Sequence, residues 1–210
     1  MRRLTTTALG LMAVLGFLAA AQAQAPQPFV PLFAGTLEGW TIEHTTAGNF
    51  SVRDGVLRVE GPTGWLRSSE RYDDFDLRVS FRFITDDADS GVFFRADGSS
   101  TFGRGWPNRS YQLQLRNPTG QSRFPPIGHL YRHGMPPGDL TFDHADAARL
   151  STGTGPWQVL EVSVAGDVVS ATLNGDQLMR ASGVESRAGY IGLQGETGAL
   201  EFREIAIRAH

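Results

Sequence analysis

The chain has no cysteine and no lysine; all 19 basic residues are arginine. Without cysteine there is no disulfide, no thiolate nucleophile and no thiolate metal site, so stability has to come from a packed core. Without lysine, Schiff-base and lysine general-base chemistry are excluded. Gly-x-Ser-x-Gly does not occur, nor does the Glu-x-Asp-x-x-Glu strand of paired-carboxylate glycosidases. Serine-type nucleophilic catalysis and an ordinary glucanase mechanism therefore lose their usual signatures. There is no Gly-rich dinucleotide motif and no His/Glu cluster at zinc spacing. A net charge of −3 counts against a nucleic-acid partner. Helical periodicity is scarce as well, with one short turn expected over Asp143 to Leu150.

Long apolar runs are limited to one. Leu9 to Ala21 follows Arg2 and Arg3 and closes in Ala19-Ala20-Ala21-Gln22-Ala23. It is too short to span a bilayer and reads as a signal peptide over residues 1–23, cut after Ala23. The mature chain is then expected free in the periplasm or outside the cell, with no membrane attachment. It has a short linker over 24–28 and a single domain over 29–210, and its roughly 187 residues suffice for one well-buried core.

What is abundant is period-two alternation. Phe75-Asp76-Leu77-Arg78-Val79-Ser80-Phe81-Arg82-Phe83 puts five apolar side chains on one face and four polar ones on the other. Tyr111 to Arg116, Leu160 to Val164 and Val169 to Leu173 repeat the pattern, with tight turns at Asp54-Gly55, Gly166-Asp167 and Asn174-Gly175. Tyr190 to Leu193 and Leu200 to Ile207 add strands, the latter changing phase between Phe202 and Ile205 as a bulge requires. The fold class is therefore all-β, an antiparallel β-sandwich of the jelly-roll type. Gly98 to Asn108 and Asn117 to Gly155, with three of the five histidines, read as long loops, where binding and chemistry tend to sit.

Several segments, in order, resemble a known family. They are Phe33-Ala34-Gly35 with Gly39-Trp40, Val52-Arg53-Asp54-Gly55-Val56-Leu57, Tyr72 to Leu77, Ser90-Gly91-Val92-Phe93-Phe94-Arg95, Asn174-Gly175, Ile191-Gly192-Leu193-Gln194 and Phe202-Arg203-Glu204-Ile205. Together, over about residues 29 to 208, they resemble the 3-keto-disaccharide hydrolase family. That resemblance implies a concanavalin A-like lectin/glucanase sandwich and action on glycosides. Two departures stand out. Where relatives show "yE.Q.lD", this chain has Gln112 and Asn117; where they show "LQ.H", it has Glu196. If the replaced groups carry the reaction elsewhere, this chain uses a different set or binds sugar without cleaving it.

A 3-keto-glycoside has an acidified proton on C2, so a base can start elimination of the oxygen on C1, and water can then add. Such a site needs a base, a donor or cation for the enolate, and an acid for the leaving oxygen. Glu196, in a Gly-flanked loop after Leu193-Gln194, and His133, in Tyr131-Arg132-His133-Gly134, are the candidate bases; His129 is an alternative imidazole. Arg95 is expected on the same strand face as Phe93, clamping enolate or hydroxyls. Gln112 and Gln114 share a face with Arg116, and with Gln194 they offer the paired donors and acceptors that sugar hydroxyls need. Trp106 is a candidate sugar platform. No cofactor is required. Asp86, Asp87 and Asp89 crowd one loop at a spacing that could hold Ca2+, though not in the EF-hand pattern. The expected partner is a carbohydrate.

Overall fold

The computed structural model describes residues 27–45, 47–98, 105–120, 122–135 and 140–210. The expected leader and most of the linker lie outside the described residues. The strands are β1 (Val30–Phe33), β2 (Trp40–Glu43), β3 (Phe50–Arg53), β4 (Val56–Glu60), β5 (Gly64–Tyr72), β6 (Phe75–Phe83), β7 (Asp89–Ala96) and β8 (Ser110–Arg116). They continue as β9 (Leu130–His133), β10 (Thr141–His144), β11 (Gln158–Ala165), β12 (Val168–Leu173), β13 (Asp176–Ser182), β14 (Gly189–Gly195) and β15 (Ala199–Ala209). A single turn of helix, Ala147–Leu150, is capped by the Asp146 side chain accepting from the Ala148 amide.

These strands form two antiparallel sheets. The larger runs β10-β13-β12-β11-β6-β15-β4-β3, with β1 beside the far half of β15, and the smaller runs β2-β5-β14-β7-β8-β9. The alternation of β6 does what its sequence requires. Phe75, Leu77, Val79, Phe81 and Phe83 are all buried between the sheets, and Arg78 and Arg82 point outward to Glu161 and Glu201. From the smaller sheet, Leu66, Val92, Phe94, Leu113, Leu115, Ile191 and Leu193 enter the same core. The expected bulge lies in β15, where its register with β6 shifts between Phe202 and Glu204. Asp54-Gly55 and Asn174-Gly175 turn with positive φ at both residues, as hairpins demand.

Two expectations change. The segment expected as loop from Asn117 to Gly155 contains β9 and β10, which extend an edge of each sheet. Asp143 and His144 accordingly belong to a strand, and the helix begins only after Asp146. Both strands are four residues long and flanked by Gly and Pro, so their pairing rather than their own pattern defines them.

The outer face of the smaller sheet is covered rather than open. On β7 every residue is buried, and on β8 all but Arg116. Gly91 makes this possible. A Cβ there would come within 2.7 and 2.8 Å of Gln112 Cγ and Cδ, so only a glycine lets the glutamine lie flat across the neighbouring strand. No helix among the described residues is long and apolar enough to cross a membrane.

Candidate functional site

On the outer face of the smaller sheet, β8 presents Gln112 and Gln114, and β14 presents Gln194; all three are buried. Gln112 Nε2 donates to Gln114 Oε1 and to Gln194 Oε1, each at 2.7 Å. Gln114 Nε2 donates to Asp89 Oδ1 at 2.5 Å, and Gln194 Nε2 donates to Glu196 Oε2 at 2.9 Å. Arg116 closes on the other oxygen of Asp89. At the opposite end, His133 Nε2 lies 2.7 Å from Gln112 Oε1.

The two carboxylates determine the direction of every bond in this network. A carboxylate accepts, so the amide nitrogens of Gln114 and Gln194 must face Asp89 and Glu196. Their oxygens then face Gln112, whose nitrogen must donate to both. Gln112 Oε1 is left facing His133, so the imidazole carries its proton on Nε2.

Glu196 follows directly on β14, and its position is held by the backbone pairing of Asp89 with Thr197. It is half-buried. Burial first, and the charge of Asp89 second, push its carboxyl above the ordinary carboxylate range, against the opposing pull of Arg116 and Gln194. Burial likewise raises Asp89, overcoming Arg116 and Gln114. Because the folded chain holds the Glu196 proton more tightly than an unfolded chain does, that group's stabilisation is complete below the unfolded value of about 4.3. It is lost as pH rises through the raised folded value.

Above the network lies a cavity of about 250 Å³. Gln112, Gln114 and Gln194 form its floor, Trp106, Tyr131 and His133 stand on one side, and Arg116, Phe124 and Glu196 on the other. Trp106 packs 5.9 Å from the His133 ring, and its buried Nε1 has no partner among the described residues. Arg116 Nη1 is also buried with no partner among the described residues. The site thus combines a carboxylate, an imidazole, a guanidinium and aromatic walls, a set suited to binding a polyhydroxylated ring and moving a proton on it.

The structure brings together Glu196, His133, Gln112, Gln114, Gln194 and Trp106. His129 stands outside the cavity, its ring against Tyr131 at 4.6 Å and Phe142 at 5.4 Å. Burial, with His144 nearby, lowers its pKa.

Arg95 is a correction. It was expected beside Phe93 on the sugar-facing side, but the register of β7 against β14 shifts at this point and Arg95 adopts φ 52°. The side chain leaves the face and is fully buried. There it donates to the Glu185 carbonyl at 2.8 Å and to Asp74 Oδ1 at 3.0 Å. Gly189 allows the bulge, because a Cβ there would run into the backbone of Arg95 and Ala96. Arg95→Met is therefore expected to cost about 1–3 kcal/mol in urea unfolding at pH 7 while leaving sugar affinity unchanged.

In the acidic loop, two of the three aspartates have partners within the chain. Asp89 is committed to Arg116 and Gln114, and Asp86 accepts from the Thr154 hydroxyl at 2.5 Å. Among the described residues no three His, Cys, Asp or Glu side chains are grouped to hold a metal ion. Asn117, the other amide where relatives carry an acid, is a turn residue. Its oxygen accepts from the Thr119 amide and hydroxyl, and its nitrogen donates to Thr154.

Three residues were not singled out as site residues from sequence. Arg116 is two steps along β8 from Gln114, and Tyr131 is two before His133, so strand alternation points to both. Phe124 sits in an irregular loop and carries no such signal.

A family model described as the 3-keto-alpha-glucoside-1,2-lyase-like domain matches residues 28–208. No curated protein sequence matches. Among solved structures, a protein of Parabacteroides distasonis ATCC 8503 assigned as a glycosyl hydrolase superposes with a TM-score of 0.67 at 20% identity, covering 88% of this chain and 100% of its own. The carbohydrate binding module CBM66 of Bacillus subtilis gives 0.55 at 12% identity over 81% and 96% of the two chains. A β-glucanase of Bacillus licheniformis gives 0.54 at 11% identity over 90% and 100%. At these identities the likeness shows a shared jelly-roll sandwich.

Proposed function

The chain belongs to the 3-keto-alpha-glucoside-1,2-lyase-like family, and from that premise we propose that it is an exported enzyme cleaving 3-keto-glycosides in the groove over the smaller sheet. The observation that supports this most is that Glu196 and His133 face one cavity from the two ends of a single amide network. Glu196 removes the proton from C2, and the electron pair passes into the C3 carbonyl as an enolate. The enolate reforms the ketone as the C1–oxygen bond breaks, leaving a C1–C2 double bond and a leaving alkoxide that takes up a proton. Water then adds hydroxyl to C1 and hydrogen to C2, so the sum is hydrolysis. Arg116 takes the part first expected of Arg95, since its guanidinium lines the cavity and sets a positive charge beside the enolate. His133 is the second proton-transfer group.

Nothing in this route needs a metal, and the aspartates once considered for Ca2+ play no step in it. Incubation of the mature protein with a 3-keto-glycoside is expected to consume the keto sugar at equal rates with and without EDTA. No turnover, or turnover abolished by EDTA, would overturn the reading. Export predicts a mature N-terminus at Gln24, to be read by N-terminal sequencing of the protein recovered from outside the cytoplasm.

A second reading rests on the three buried glutamines. Their polar atoms are largely satisfied by one another, as in a preformed binding floor. A non-catalytic glycan-binding module would show saturable binding of the same sugar and no turnover.

A further inference from the structure

Enolisation puts negative charge on the C3 oxygen, and a donor in contact with that atom stabilises the charge most. Most donors around the cavity are already engaged. Arg116 commits Nη2 to Asp89 and has Nη1 buried, so it serves the site as a charge rather than an open donor. Gln112 Nε2 gives its hydrogens to Gln114 and Gln194, and the nitrogens of those two face Asp89 and Glu196. His133 turns its Nε2 proton to Gln112.

Tyr131 differs from all of these. It lines the cavity, is partly exposed, and its hydroxyl makes no hydrogen bond among the described residues. Its ring is well held. Tyr131 lies opposite Gln112 in the pairing of β8 with β9, and its ring stacks 6.2 Å from His133 and meets His129 edge-on at 4.6 Å. A phenylalanine would make those contacts equally well, so the packing gives no use to the phenol oxygen. That oxygen falls within the fields of Arg116, Asp89 and Glu196. Burial outweighs the pull of Arg116 and raises the phenol pKa, so the group keeps its proton and can donate it to a hydrogen bond.

We propose that Tyr131 is a catalytic residue whose hydroxyl donates a hydrogen bond to the C3 oxygen of the bound sugar, a bond that strengthens as the ketone becomes an enolate. Arg116 sets the supporting charge, and Glu196 takes the proton from C2, one carbon from the atom that Tyr131 holds. The phenol keeps its own proton throughout, so it is unchanged when the cycle ends. This rests on the reading of the groove as a site for 3-keto-glycosides, and it adds the contact that fixes which way the ketone points.

The test follows methyl 3-keto-glucoside in deuterium oxide by proton NMR, which reads two rates in one sample. Exchange of the C2 hydrogen needs only the enolate, whereas release of methanol needs the whole reaction. Tyr131→Phe is expected to slow both by about a hundredfold, with KM within about threefold of wild type. Its thermal unfolding should stay within about 2 °C of wild type, because phenylalanine keeps the contacts with His129 and His133. Unchanged rates in the variant overturn the proposal and leave the reaction standing. Slower methanol release with unchanged C2 exchange overturns it too, since the hydroxyl would then act on the leaving oxygen. A wild-type protein that neither exchanges nor cleaves overturns the reading of the groove, and the role of Tyr131 with it.

Discussion

Replacing Glu196 by Gln is expected to lower turnover of a 3-keto-glycoside by about a hundred- to ten-thousand-fold, the span associated with losing one positioned acid or base. Glutamine keeps the shape and can still accept from the Gln194 amide, so sugar affinity should change little. The pH profile provides an independent check. A base works only when deprotonated, and burial with Asp89 nearby raises the Glu196 carboxyl above its ordinary range. The rising limb of kcat/KM in wild type should therefore lie at higher pH than a solvent-exposed carboxylate would give, and it should vanish in Glu196→Gln. Unchanged turnover in that variant would assign the base elsewhere, with His133 the next to test.

The second large effect concerns stability. Gln112 is 2% exposed and meets three polar partners, Gln114, Gln194 and His133. Gln112→Leu fills much the same space but strands two amide oxygens and one imidazole N–H in a covered site. Each buried polar group left unsatisfied costs about 1–3 kcal/mol, so a loss of about 3 kcal/mol or more is expected. For a domain of this size, that corresponds to a fall in Tm of about 6–12 °C. Differential scanning calorimetry of the variant decides the matter. A fall of a degree or less would mean that the three partners find water and that the network is not closed.

Much of this molecule can be read before folding. The alternation in β6 identifies a strand, its buried face and its salt-bridged face, because a side-chain period of two leaves no other arrangement. The same rule places Gln112, Gln114 and Arg116 on one side of β8. What it cannot give is which strand lies next to which. Gln194 reaches Gln112, 82 positions away, and brings Glu196 with it only because β14 pairs with β7 and β7 with β8. Arg95 shows the other limit. Alternation counted from Phe93 puts it in the groove, but one left-handed residue in β7 breaks the count and turns the guanidinium toward Asp74. The backbone clearance at Gly189 that permits this belongs to a strand far away in sequence, so nothing local announces it.

The branching of the amide network has a consequence for how much damage it absorbs. Gln112 is oriented from two sides at once, through Gln114 by Asp89 and through Gln194 by Glu196. Asp89 is itself anchored by Arg116, so one branch keeps its polarity when the other is neutralised. The arrangement is redundant: protonating Glu196, or exchanging it for an amide, removes a proton acceptor without reversing Gln112 or changing the nitrogen on which His133 carries its hydrogen. The reacting group can change charge in every cycle while the surface that holds the ligand keeps a constant pattern of donors and acceptors.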